Sequence, residues 1–198
     1  SRGLGDVYKR QTLGLAEYIK SCGPEAASKG VVISYDSRLK SAEFASLTAR
    51  VLAQAGVKAI LYDALRPVPL LSFGVRYFKA FAGVMITASH NPKEYNGYKV
   101  YGEDGAQLAP EAAAEVLKEI NKLDYFSIPC ADMEQALSQG MIVLAGKEVD
   151  DAYLAAILPL ADMEIINKQS DKLKLIYTPL HGSGLSSVKN MFNALGFK

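Results

Sequence analysis

The sequence has no tryptophan, only two cysteines and two histidines, and its 22 Lys and Arg are offset by 21 Asp and Glu. Each scarcity removes a class of function. Cys22 and Cys130 stand far apart with no Cys-x-x-Cys or His-Cys spacing around them, which argues against a disulfide framework or a structural zinc site. A formal net charge of +1 without a block of like charge offers no electrostatic footprint for nucleic acid and no polybasic face for an anionic membrane. No apolar run approaches the roughly 20 residues a spanning helix needs, and the start has no apolar signal-peptide core. The expectation is a cytoplasmic protein with no nucleic-acid and no membrane partner. At 198 residues and 49% hydrophobic content, the chain suffices for one domain or a domain and part of another.

Short β-branched runs alternate with helix-length amphipathic segments, the pattern of βαβ units around a sheet. The predicted class is α/β, a mixed, largely parallel sheet layered with helices. A helix over Thr12 to Cys22 leads through a break at Gly23 and Pro24 to a strand, Val31 to Tyr35, which exits into Asp36-Ser37-Arg38. From Ser41 to Ala55, Phe44, Leu47, Val51 and Ala55 share one helical face, with Ser41 available as N-cap and Gly56 as stop. A strand over Val57 to Tyr62, a helix from Pro67 to Ala80 and a strand over Gly83 to Ala88 follow. Asn91-Pro92 and Asn96-Gly97 mark turns before a short strand, Tyr98 to Tyr101. Pro110 opens a helix whose stripe is Ala113, Val116, Leu117 and Ile120.

The pattern weakens from Leu123 to Gly146, where a small helix, Met133 to Ser138, and a short run, Met141 to Leu144, read as connecting structure. Asp150 to Leu158 is again helical, Leu173 to Tyr177 reads as a strand, and Val188, Met191, Phe192 and Leu195 mark a helix ended by Gly196. Residues 1–146 are thus expected to form a first domain with its connecting segment, and 147–198 the incomplete beginning of a second, similar one. One strand and one helix cannot bury both faces of a sheet. Leu173 to Ile176 and Val188 to Leu195 should then expose apolar surface and lower solubility.

Ligands of open α/β sheets gather at the carboxyl ends of the strands. The residues there are Asp36-Ser37-Arg38, Asp63 with Arg66, Thr87 to Asn91, and Thr178 to Gly184, and both histidines, His90 and His181, are among them. Ser89 sits at a strand end on a proline-fixed turn, placed to present its hydroxyl. It lacks the G-x-S-x-G elbow of a serine hydrolase, and neighbours on an extended segment project apart, so His90 is not expected as its direct base. Gly182-Ser183-Gly184 opens a helix and reads equally as a phosphate cradle or as a structural turn. Neither a P-loop nor a G-x-G-x-x-G fingerprint is present, which leaves nucleoside triphosphates and dinucleotides unsupported.

The stretch Gly83 to Tyr101, G-V-M-I-T-A-S-H-N-P-K-E-Y-N-G-Y-K-V-Y, resembles the phosphoserine loop of the α-D-phosphohexomutases. Y-T-P-L-H-G-S-G from Tyr177 to Gly184, Tyr35-Asp36-Ser37-Arg38 and the run Gly14 to Ile19 are similar to the phosphoglucomutase and phosphomannomutase branch that includes phosphopentomutase-active members. The resemblance implies domain I of that family and an intramolecular phosphotransferase, an isomerase moving a phosphoryl group between positions 1 and 6 of a hexose phosphate. It further implies a phosphoserine at Ser89, a bisphosphate intermediate, a glucose 1,6-bisphosphate-type activator, and a hexose or pentose phosphate as substrate. Mg2+ would be held through the phosphate on Ser89 and by three carboxylates of an aspartate loop that this sequence does not contain.

By the same resemblance Ser89, His90 and Lys99 are the candidate catalytic residues, and Arg38, Asn91 and His181 the candidate substrate- or phosphate-binding ones. Plainer roles stand beside them: a solvated strand lysine for Lys99, a loop brace for His90 and His181, an ion pair for Arg38. Ser1 to Gln11 do not resemble the glycine- and arginine-containing opening strand expected there, and no sugar-recognition loop or phosphate clamp is found. The reading is an N-terminal fragment unable to turn over alone. The alternative is a non-catalytic sugar-phosphate-binding module.

Overall fold

Alternation along the first strand decides the layering. The computed structural model describes residues 2–124 and 128–197. In β1 (Val31–Tyr35), Val31 and Ile33 enter one core and Val32 the other, as the two-residue period of a strand requires. β2 (Ala59–Tyr62) and β3 (Ala82–Ile86) flank β1 in parallel, and both are buried throughout. β4 (Tyr98–Tyr101) runs antiparallel to β3 at one edge, and β5 (Ile142–Ala145) parallel to β2 at the other, giving the order β4-β3-β1-β2-β5. The mixed, largely parallel sheet is as expected.

Nine α-helices surround it among the described residues: α1 (Arg2–Ser21), α2 (Pro24–Lys29), α3 (Ser41–Gln54), α4 (Val68–Tyr77), α5 (Pro110–Lys122), α6 (Met133–Ser138), α7 (Lys147–Ile157), α8 (Met163–Gln169) and α9 (Leu185–Ala194). Leu15 and Ile19 of α1, Phe44 and Leu52 of α3, and Val116 of α5 cover the face of Ile33, Val84 and Ile86. Leu70, Leu71 and Val75 of α4, with Val149 of α7, cover the face of Val32, Tyr62 and Met85. None of the described helices is long and apolar enough to cross a membrane.

The structure departs from the sequence reading in several places. α1 starts at Arg2 rather than Thr12, because Tyr8, Thr12, Leu15 and Ile19 prolong one buried stripe at helical spacing. Tyr8 is buried and stacks on Phe44 with ring centroids 4.2 Å apart. Ser41 does not cap α3: Lys40, at φ 65°, holds that position, and the Ser41 hydroxyl turns to Asp36. A short helix occupies Pro24–Lys29 where a break was expected, its proline tolerated in the first turn. β5 is a full member of the sheet, although only Ile142 and Ala145 are buried in it. Residues 173–177 form no strand, and Ile176 is 97% exposed. A strand forms only against a neighbour that takes up its backbone groups, and no described segment pairs with this one.

Candidate active site

The loop between β3 and β4 occupies the carboxyl end of the parallel strands. Thr87 N–H donates to the Gly97 carbonyl at 3.0 Å, carrying the β3–β4 ladder one step past the strands. A Cβ on Gly97 would stand 2.7 Å from the Thr87 carbonyl oxygen, so the closure needs glycine. Between these ends, Asn91 N–H bonds the Ala88 carbonyl at 3.1 Å and Tyr95 N–H the Pro92 carbonyl at 3.0 Å, winding the segment into two turns.

Ser89 is exposed at the apex of the first turn with φ 58°. The left-handed backbone brings its hydroxyl round to 3.3 Å from His90 Nδ1. The expectation that these neighbours project apart assumed an extended segment, and the positive φ overturns it. A hydroxyl in contact with an imidazole, both open to solvent, is an arrangement that can pass a proton when the oxygen attacks.

Arg38 faces the loop. Its Nη1 donates to the Pro92 carbonyl at 2.7 Å and to the Tyr95 carbonyl at 3.3 Å, and its Nη2 donates to the Ser89 carbonyl. Nε lies 3.2 Å from Asp36 Oδ2 as an ion pair without an N–H aimed along it. The terminal nitrogens are thus committed to backbone of the loop, so that Arg38 braces the loop, beyond the expected ion pair, rather than turning those donors to a substrate phosphate.

Lys99 lies on β4 opposite Met85, which places it on the α4 face of the sheet at the same end as Ser89. Its ammonium makes no hydrogen bond or ion pair with other described residues, and neither do the side chain of exposed Asn91 and the ring of exposed His181. The turn carrying His181 is brought to the site through its backbone: Ser37 Oγ donates to the His181 carbonyl. In that turn Gly182 N–H is spent on the Pro179 carbonyl at 2.8 Å, which favours the structural over the phosphate-cradling reading of the glycine pair.

Asp63 and Arg66, also at a strand exit, serve the fold. Arg66 is buried, bonded to both oxygens of Asp150 at 2.7 and 2.8 Å and to Asp63 at 2.8 Å. Burial alone disfavours its charge, but the carboxylates outweigh that and raise its pKa above the ordinary arginine value. A hollow of about 360 Å³ lined by Tyr18, Phe81 and Leu108 opens at the opposite end of the sheet, away from Ser89. Among the described residues no three His, Cys, Asp or Glu come together in a way that could hold a metal, so these donors do not by themselves fit a Mg2+ site.

Residues 6–126 match the family model described as phosphoglucomutase/phosphomannomutase, alpha/beta/alpha domain I. The chain belongs to the phosphoglucomutase/phosphomannomutase family. The match starts at residue 6, within the segment 1–11 that was not expected to resemble the family, and there the structure places the buried Tyr8. A phosphoglucomutase of Staphylococcus epidermidis strain ATCC 35984 is 44% identical over 98% of the chain, and one of Staphylococcus aureus strain USA300 is 38% identical over the same share. The chain spans about a third of the length of these curated relatives, 36% and 35% respectively. A structure solved as a putative phosphomannomutase of Thermus thermophilus superposes with a TM-score of 0.72 at 28% identity, over 96% of this chain and 39% of that one. The parafusin (phosphoglucomutase) structure from Paramecium has a TM-score of 0.75 over 96% of this chain and 38% of its own, and at 16% identity shares the fold alone.

Proposed function

We propose that this chain is the phosphoryl-carrying part of a phosphosugar mutase, an isomerase that moves a phosphoryl group between positions 1 and 6 of a hexose phosphate. Family membership supports the reaction class, and one observation supports the residue: Ser89 stands exposed in a left-handed turn with its hydroxyl 3.3 Å from His90 Nδ1. In the proposed step Ser89 Oγ attacks phosphorus, the P–O bond to the sugar oxygen breaks, and the serine proton ends on that sugar oxygen. His90 is positioned to hold the proton in between. Lys99, unpaired on the adjacent edge strand, would add positive charge as the phosphoryl group transfers. Asn91 and His181 offer further donors to a sugar phosphate.

Residues 1–146 are proposed as domain I with its connecting segment and 147–198 as the start of a second domain, whose first helix, α7, packs back on the first sheet through Val149. A hexose or pentose phosphate as substrate, Mg2+ and a glucose 1,6-bisphosphate-type activator belong to the same proposal. The described residues would give Mg2+ only the phosphate oxygens on Ser89, so no step here is routed through the metal. Turnover by this chain alone is not expected.

The test is phosphopeptide mapping over Met85 to Lys99 after incubation with Mg2+ and glucose 1,6-bisphosphate, beside a Ser89→Ala control. Phosphate confined to Ser89 and absent from the control supports the carrier role. Sugar-phosphate binding with no transfer would overturn it in favour of a non-catalytic module.

A further inference from the structure

A left-handed backbone at a non-glycine residue persists only where its surroundings over-determine it, and at Ser89 those surroundings lead to one group. Ser89 N–H donates to Thr87 Oγ1 at 3.0 Å, and the Thr87 hydroxyl donates in turn to Asp36 Oδ2 at 2.6 Å. From the other end of the loop, Asn96 Nδ2 donates to Ser41 Oγ at 2.8 Å, and the Ser41 hydroxyl donates to Asp36 Oδ1 at 2.8 Å. Asn96 Oδ1 meanwhile accepts the Gly97 N–H at 3.0 Å. Both chains of donors run inward and stop on the same carboxylate, which also accepts the Arg38 backbone N–H at 3.0 Å and pairs with the Arg38 guanidinium.

We propose that Asp36 is a positioning residue for Ser89, gathering both ends of loop 87–97 and, through Arg38, its middle. The inference rests on the reading of Ser89 as phosphoryl carrier and deepens it. Only an ionised carboxylate accepts at every lone-pair site. A neutral amide at this position must turn an NH2 group toward a donor, unhooking one end of the loop. Each hydroxyl in the two chains is used as donor and acceptor at once, so each bond polarises the next. Thr87 and Ser41 are fully buried or nearly so, which shields the chains from competing water. Asp36 reaches the reacting oxygen only through others: it orients Ser89 without touching a substrate.

Thr87→Val keeps the shape and removes both bonds of the first chain, and Thr87→Ser restores the hydroxyl. Two readouts apply to the full chain: amide hydrogen exchange of the peptide spanning Ser89, and the rate of phosphate uptake from glucose 1,6-bisphosphate as the donor concentration is varied. For Thr87→Val the expected result is lost protection in the loop with β1 and β2 peptides unchanged. Phosphate uptake at saturating donor should fall about a hundredfold, as misplacement of a reacting group does, with little change in the half-saturating concentration. Thr87→Ser should return both to wild type. Wild-type exchange and rate in Thr87→Val, or a Thr87→Ser as slow as Thr87→Val, would overturn the proposal. Asn96→Leu cuts the second chain from the exposed side and should slow uptake likewise; wild-type exchange and uptake in it would overturn the two-ended anchoring. If wild-type protein takes up no phosphate, the proposed function fails and the exchange data alone decide this inference.

Discussion

The guanidinium of Arg66 meets the carboxylate of Asp150 in two hydrogen bonds of 2.7 and 2.8 Å, binding the loop after β2 to α7. This pair holds α7 against the sheet beside buried Val149, and α7 in turn packs on α9, the helix that follows the His181 turn.

Cutting that pair should cost far more than cutting its neighbour. Removing one member of a buried pair costs about 3–5 kcal/mol. The Asp150 side chain is 25% exposed, so Arg66→Met is expected near the lower bound, about 3 kcal/mol. Asp63 is 49% exposed, and Asp63→Ala should cost less than about 1 kcal/mol. Urea denaturation of both variants measures the difference, and equal losses would contradict the ranking.

Ser89 pays for its placement in backbone strain. A left-handed conformation costs an L-residue about 1–2 kcal/mol, a cost glycine does not carry. Ser89→Gly should therefore raise stability by about 1 kcal/mol and the melting temperature by about 2–4 °C for a chain of this size, while abolishing phosphate uptake. Ser89→Ala keeps the strain and should gain nothing. Calorimetry on the two variants separates these outcomes.

The Tyr8 phenol is pushed up to about 12 from 10.0, first by burial and then by the negative charge of Asp36. A raised acid pKa in the folded state means that stability is intact below the unfolded value and is lost as pH climbs through the folded one. The protein should accordingly weaken between about pH 10 and 12. Burial also raises Tyr62 and Tyr98, so the loss will not vanish in Tyr8→Phe. Its slope in that window should be shallower, read from urea midpoints at stepped pH, with the stack on Phe44 kept.

The segment Leu173 to Tyr177 is expected to drive self-association. Leu173 is 54%, Leu175 45% and Ile176 97% exposed, in an apolar run that pairs with no described strand. Ile176→Lys should leave stability within about 0.5 kcal/mol and shift the protein toward the monomer in size-exclusion chromatography at high concentration. A stability loss without a change in association would count against this reading.

Much of the architecture was legible in the residues themselves. Continuous apolar runs in β1, β2 and β3 announce strands buried on both faces, the stripe from Phe44 to Val51 announces α3, and Asn96-Gly97 announces the turn into β4. Such features depend on neighbours a few positions away, so period and turn chemistry express them. The position of Ser89 at a strand exit was legible for the same reason.

What local pattern does not carry, the tertiary structure decided. β5 has only two buried residues, and its place in the sheet comes from pairing with β2; Leu173 to Tyr177, expected as a strand, has no partner among the described residues and forms none. The residues offered Arg38 as phosphate ligand or ion pair, and its bracing of the loop was visible only once the carbonyls of Ser89, Pro92 and Tyr95 were seen within its reach, 51 to 57 positions along the chain. Ser41, a cap by its position, is instead drawn to Asp36, and Asn96 follows it. A hydrogen bond is satisfied by whichever group the fold brings within about 3 Å. Which residues can be chemical was written in the sequence; which of them meet was set by the packing of the sheet and its helices.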